Sequence, residues 1–147
     1  MTVSAAGSAA ETVRFGFAGV AVPGAALDCL RRAALTLREA ILADDAAQRY
    51  ALAHVSALRI TAAVLAARAR PTGRAARQRN AWVLLRHVAP EFGEWADYFA
   101  AGAGKRAAAE AGVRGAVTAR EADDLVRDVD HFLAAVEASF GLAGRVA

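Results

Sequence analysis

One stretch of this sequence leaves little freedom about its fold: TAREADDLVRDVDHFLAAVEASFG, from Thr118 to Gly141. A threonine followed three residues later by a glutamate is a capping box, in which Thr118 accepts from the Glu121 N–H and Glu121 reaches back. Ala122, Leu125, Val126, Val129, Leu133, Val136 and Phe140 then recur at three- and four-residue intervals, giving one apolar stripe. Gly141 suits the left-handed residue that ends a helix. A helix with such a stripe must bury it against other elements, so the rest of the chain has to supply partners.

The partners read as helices too. Pro23 fits a first turn, where a missing N–H costs nothing. After it, Leu27, Leu30, Ala34, Leu37 and Ile41 share one side, with Arg31, Arg32, Arg38 and Glu39 largely elsewhere. Asp44 or Asp45 caps a second helix running to Arg70, where Pro71 and Gly73 stop it. A third covers about Arg74–Val88, and Pro90 opens a fourth whose Glu91 and Glu94 complement the helix dipole. Phe92, Trp95 and Phe99 recur at helical spacing in the most aromatic part of the chain. They are read as core, against the sharper alternative of a stacking platform for bases. The Gly-punctuated AGAGKRAAAEAGVRG holds a short helix at most. Nothing alternates cleanly enough for a strand. The expectation is an all-α, up-down bundle of four long helices and a short one over residues 23–141, with a flexible tail at 1–22 and a short one at 142–147.

At 147 residues, the chain is one domain that can bury about 68–70% of its unfolded surface without staples. Cys29 is the single cysteine, so no intramolecular disulfide forms. That indicates a reducing, cytoplasmic setting, with Cys29 read as a small core residue rather than a reactive thiol. Mean hydropathy is positive at +0.27. Forty-two alanines account for it, and no apolar run is expected to approach the ~20 residues of a membrane span. Phe15–Leu27 is interrupted by Gly16, Gly19, Pro23 and Gly24, and Asp28 is a poor neighbour for a lipidated Cys29, so export is not expected either.

Chemistry-bearing motifs are few. There is no phosphate-binding glycine loop, no paired cysteine and no two-histidine zinc spacing, so neither a metal nor a cofactor is expected. The net charge of +3 comes almost wholly from arginine, Lys105 being the one lysine. Arg68, Arg70, Arg74, Arg77 and Arg79 crowd RARPTGRAARQRN at the joint of the second and third helices. They form either a phosphate-facing surface or a solvated helix end whose arginines offset the dipole. The other conspicuous pair is Arg49 and His54 in QRYALAHVSALRI. His54 shares the apolar face with Tyr50, Leu58, Thr61 and Leu65, whereas Arg49 lies about 140° away. A histidine so placed must be hydrogen-bonded, the hydroxyls of Tyr50 and Thr61 being within its own helix, or face a cleft or a partner subunit. His87 suits the end of the third helix, and His131 a polar, exposed stretch.

RYALAHVSALRITAAVLAARARP, RNAWVLLRHVAPEFGEWADYFAAGA and VTAREADDLVRDVDHFLAAV together resemble the actinobacterial branch of the HEPN superfamily. These are all-α domains named for nucleotide binding in higher eukaryotes and prokaryotes, and the likeness covers roughly residues 24–140. It implies a homodimer. In active members it also implies a metal-independent RNase whose signature is an Arg, four to six residues, then a His. There the Arg would stabilise charge on a phosphorane-like transition state, and the His would act as general acid/base at the 2′-hydroxyl or the leaving oxygen. Arg49 and His54 match the spacing, although Tyr50 takes the place of the usual polar residue and the family's motif usually lies in a later helix. Arg79 and His87 are too far apart, and Arg127 and His131 too close. Three readings follow: an RNA- or nucleotide-binding domain with weak or lost catalysis, a dimeric RNase using Arg49 and His54, and a bundle serving protein contacts only.

Overall fold

A computed structural model describes residues 12–15, 20–68 and 80–142. Two strands stand where none was expected, within the segment read as a flexible tail: β1 (Thr12–Phe15) pairs antiparallel with β2 (Val20–Pro23), Phe15 opposite Val20. Val22 is buried, so β2 ties the chain's start to the core. Pro23 accordingly ends a strand and sits immediately before the first helix rather than inside it. The rest of the described structure is helical, which makes the body all-α as expected.

Helices α1 (Gly24–Leu42) and α2 (Ala46–Arg68) form a hairpin around a three-residue link. Asp45 starts α2 by accepting from the Gln48 N–H. The buried residues of α1 are Ala26, Leu30, Ala33, Thr36, Leu37 and Ala40; of the expected stripe, Leu27 and Ala34 are half-buried and Ile41 is exposed. Ala26, Ala33 and Ala40 of α1 and Ala53 and Ala57 of α2 are all fully buried, and small side chains let two helix backbones approach closely. Leu35, Ile41 and Leu42 are left 55%, 58% and 74% exposed. Polar atoms finish this seam: the Ser56 hydroxyl donates to Ala33 O at 2.7 Å, and Arg59 donates to the Thr36 hydroxyl.

α2 is, contrary to expectation, long and apolar enough to cross a membrane by length and composition. In this fold it is the central helix: α1 and the last helix pack on it most extensively, the helices at 81–88 and 103–110 less so, and the helix at 93–101 meets it through Phe99 at His54. The third expected helix is shorter than its pattern: α3 covers Ala81–Val88, because Asn80 is extended and caps it by accepting from the Trp82 N–H at 2.8 Å. Residues 74–79 of that expected helix lie outside the described residues. A 3-10 turn at Pro90–Phe92 leads into α4 (Gly93–Ala101), followed by the short α5 (Ala103–Glu110).

α6 (Ala119–Ser139) matches its sequence signature closely: both hydrogen bonds of the Thr118–Glu121 capping box are present, and Gly141 has φ +74°. Its stripe, Ala122, Leu125, Val129, Phe132, Leu133 and Val136, is buried against α2. Each large aliphatic so buried contributes about 1.5–3 kcal/mol. The aromatic segment is core: Phe99 and Phe132 lie 5.2 Å apart between centroids, and Trp95 stacks on Phe99 at 5.9 Å. Of the three aromatics considered as a stacking platform, Phe92 and Phe99 are buried and only Trp95 is half-buried, so they do not form an open three-ring surface for bases. Cys29 is half-buried against the same core, and burial pushes its thiol pKa up, which suits a packing role.

Candidate functional site

Arg49 and His54 leave the same helix in different directions and meet different partners. The Arg49 side chain is 18% exposed, and each of its three guanidinium nitrogens donates. Nη2 and Nε donate to Ala43 O at 2.7 and 3.2 Å, while Nη1 donates to Asp123 Oδ1 at 2.7 Å. Ala43 is the residue that ends α1, so Arg49 caps a helix C-terminus and joins it to the first turns of α6. Asp123 lies 74 positions away in sequence, and no local pattern marks it as the partner.

His54 is 1% exposed. Its Nε2 lies 3.1 Å from Phe99 O, which can only accept, so Nε2 carries the proton and donates. The expected partners, the hydroxyls of Tyr50 and Thr61, are not the ones used. Nδ1 is then a bare lone pair, and among the described residues neither it nor the Thr61 hydroxyl has a hydrogen-bond partner. Burial lowers the imidazole pKa from its ordinary 6.5; the bond to Phe99 opposes that shift, and Arg106 adds to it. The ring meets Trp82 edge-on at 5.7 Å between centroids. A neutral, core-packed imidazole is a poor proton donor at neutral pH.

One side of His54 lines a cavity of about 210 Å³, together with Tyr50, Tyr98, Phe99, Gly102, Lys105 and others. Gly102 makes room there: a Cβ on it would stand 2.8 Å from the Tyr50 hydroxyl. Lys105, at the same cavity, is ion-paired with Glu121 of the capping box. Tyr98, Lys105 and Glu121 were not anticipated as a group, since they come from three separate elements.

Arg68, in the last turn of α2, donates to Glu91 and lies 5.7 Å over the Phe92 ring. That hydrogen bond holds the Glu91 carboxyl below its usual range. Arg68 therefore fastens α2 to the turn before α4. Arg70, Arg74, Arg77 and Arg79 lie outside the described residues. Among the described residues no three His, Cys, Asp or Glu side chains gather as a metal site would require. His131 is exposed, as expected, and His87, also exposed, lies in the last turn of α3.

Comparison with known proteins gives one family: the model described as SAV_6107-like HEPN matches residues 40–137. No curated protein and no solved structure matches the chain.

Proposed function

The chain belongs to the HEPN superfamily, and on that premise we propose that it is an RNA- or nucleotide-associated helical domain whose catalysis is weak or lost. The observation that carries the second half is the employment of both signature side chains. Arg49 caps α1 and pairs with Asp123, while His54 is buried on Phe99 O. To meet one phosphate, Arg49 would have to give up its cap, and His54 would have to leave the core. Support for the first half is the family itself, with a net positive chain whose arginines crowd residues 68–79.

The test uses the full chain, labelled single-stranded RNA and EDTA. The expected outcome is retention at low salt that falls steeply as salt rises, without cleavage, and weakens when Arg74, Arg77 and Arg79 become Ala. Absence of retention at low salt removes the binding reading. Metal-independent cleavage that His54→Ala abolishes in a folded protein restores the dimeric RNase reading instead.

One observation favours protein contact as a second reading. The exposed side of α1 lines a groove of about 520 Å³ with Leu35, Ile41 and Leu42, flanked by Arg31, Arg38 and Asp130. Apolar surface of this kind commonly marks an interface, and the proposed occupant is a second copy of the chain. Light scattering should then find a dimer that Ile41→Asp with Leu42→Asp converts to a folded monomer. A monomeric wild type at tens of micromolar (roughly the range where an interface of ordinary size holds) overturns it.

A further inference from the structure

A second groove lies between α4 and α6, lined by Glu94, Trp95, Tyr98 and Asp128, with a volume of about 320 Å³. We propose that it receives an organic ammonium or guanidinium group. This inference is independent of the RNA reading, which concerns an anionic ligand.

Two of its walls are aromatic and held in place. Trp95 stacks on Phe99 at 17° between planes and leans on Phe132 at 5.3 Å between centroids, while Tyr98 meets Phe99 edge-on at 5.2 Å. Rings fixed by the core lose little freedom when a ligand arrives. Tyr98 is nevertheless 46% exposed, a large aromatic left at the surface beside the groove.

The polar side of the groove is acidic and oriented. The Tyr98 hydroxyl donates to Asp128 Oδ2 at 2.6 Å, which fixes that carboxylate against the ring. Burial and Asp128 together push the Tyr98 pKa far up, so the phenol remains a neutral donor. Arg127 gives Asp128 only distant compensation, Nε standing 3.8 Å from Oδ1 against 3.3 Å for its contact with Asp124. Glu94 has no hydrogen bond or ion pair among the described residues. The Arg127 guanidinium is thus shared by Asp124 and Asp128, while Glu94 adds a further carboxylate to the groove, on a chain whose net charge is +3.

Fixed aromatic faces beside carboxylates attract an alkylated cation by cation–π and Coulomb terms acting together, and they repel an anion. The volume stands near the lower end for ligand pockets. It therefore suits one side-chain terminus or a small amine rather than a folded partner.

Calorimetric titration of the full chain with tetramethylammonium, spermidine and a lysine-rich peptide, each against sodium-matched salt, tests this. Saturable binding is expected, accompanied by a change in tryptophan fluorescence from Trp95. Glu94→Gln and Asp128→Asn should each weaken it about fivefold or more, while Glu39→Gln on α1 leaves it unchanged. Tyr98→Phe keeps the ring but frees Asp128, and should weaken binding less than Asp128→Asn. Saturation by all three ligands places recognition in the ammonium group itself, whereas saturation by the peptide only assigns the groove to a basic side chain of a protein partner. No saturable binding by any of them, or equal binding by Glu94→Gln, Asp128→Asn and wild type, overturns the proposal.

Discussion

Replacing His54 by glutamine should flatten the protein's stability between neutral and mildly acidic pH. His54 is 1% exposed, and burial holds its pKa below the ordinary 6.5. The folded state therefore binds this proton more weakly than the unfolded chain does. The resulting stability is fully present above about pH 6.5 and is lost as pH falls from there toward the depressed folded value. Across that window the loss approaches, and does not exceed, about 1.4 kcal/mol per pH unit. Glutamine retains an N–H for Phe99 O and does not titrate, so the comparison isolates position 54. Urea denaturation at about pH 7.5 and about pH 5.5 measures the difference. Wild type should lose more stability than His54→Gln over this interval. Parallel behaviour of the two proteins would refute the argument that a buried, neutral imidazole sits on Phe99 O.

Other consequences are equally concrete. Arg49→Ala removes the bonds to Ala43 O and Asp123 and should cost about 1–3 kcal/mol by thermal or chemical denaturation; an unchanged midpoint would show that the cap contributes nothing. Thr118→Ala breaks the capping box of α6 and should cost about 1 kcal/mol, with Thr118→Ser recovering most of it. Gly102→Ala places a Cβ 2.8 Å from the Tyr50 hydroxyl and should destabilise by about 1–3 kcal/mol. Tyr50→Phe should relieve much of that in a double-mutant cycle, since Gly102 has ordinary helical dihedrals and only the hydroxyl stands in the way.

The sequence was most legible where cause and effect lie within one turn of helix. The Thr118–Glu121 box, the Asp45 cap and the Gly141 stop are all local hydrogen-bonding or backbone effects, and all three are present. Side-chain size misled where tertiary contact decided: on α1, Ile41 is exposed while Ala33 and Ala40 are buried, and Ala33 O accepts from the Ser56 hydroxyl of α2. The third helix is expected from about Arg74, whereas Asn80 is extended and caps a helix that starts at Ala81; residues 74–79 lie outside the described residues.

By itself, then, the sequence determined that this chain makes amphipathic helices, where its last helix begins and ends, and that His54 points inward. Periodicity and capping are properties of neighbours along the chain. Only the tertiary structure decided that His54 would meet Phe99 O, that Arg49 would be claimed by Ala43 and Asp123, and that Tyr98 would hold Asp128 beside Trp95. Each of these contacts joins separate elements, so its partner is chosen by how the helices pack, which no spacing within a single helix encodes.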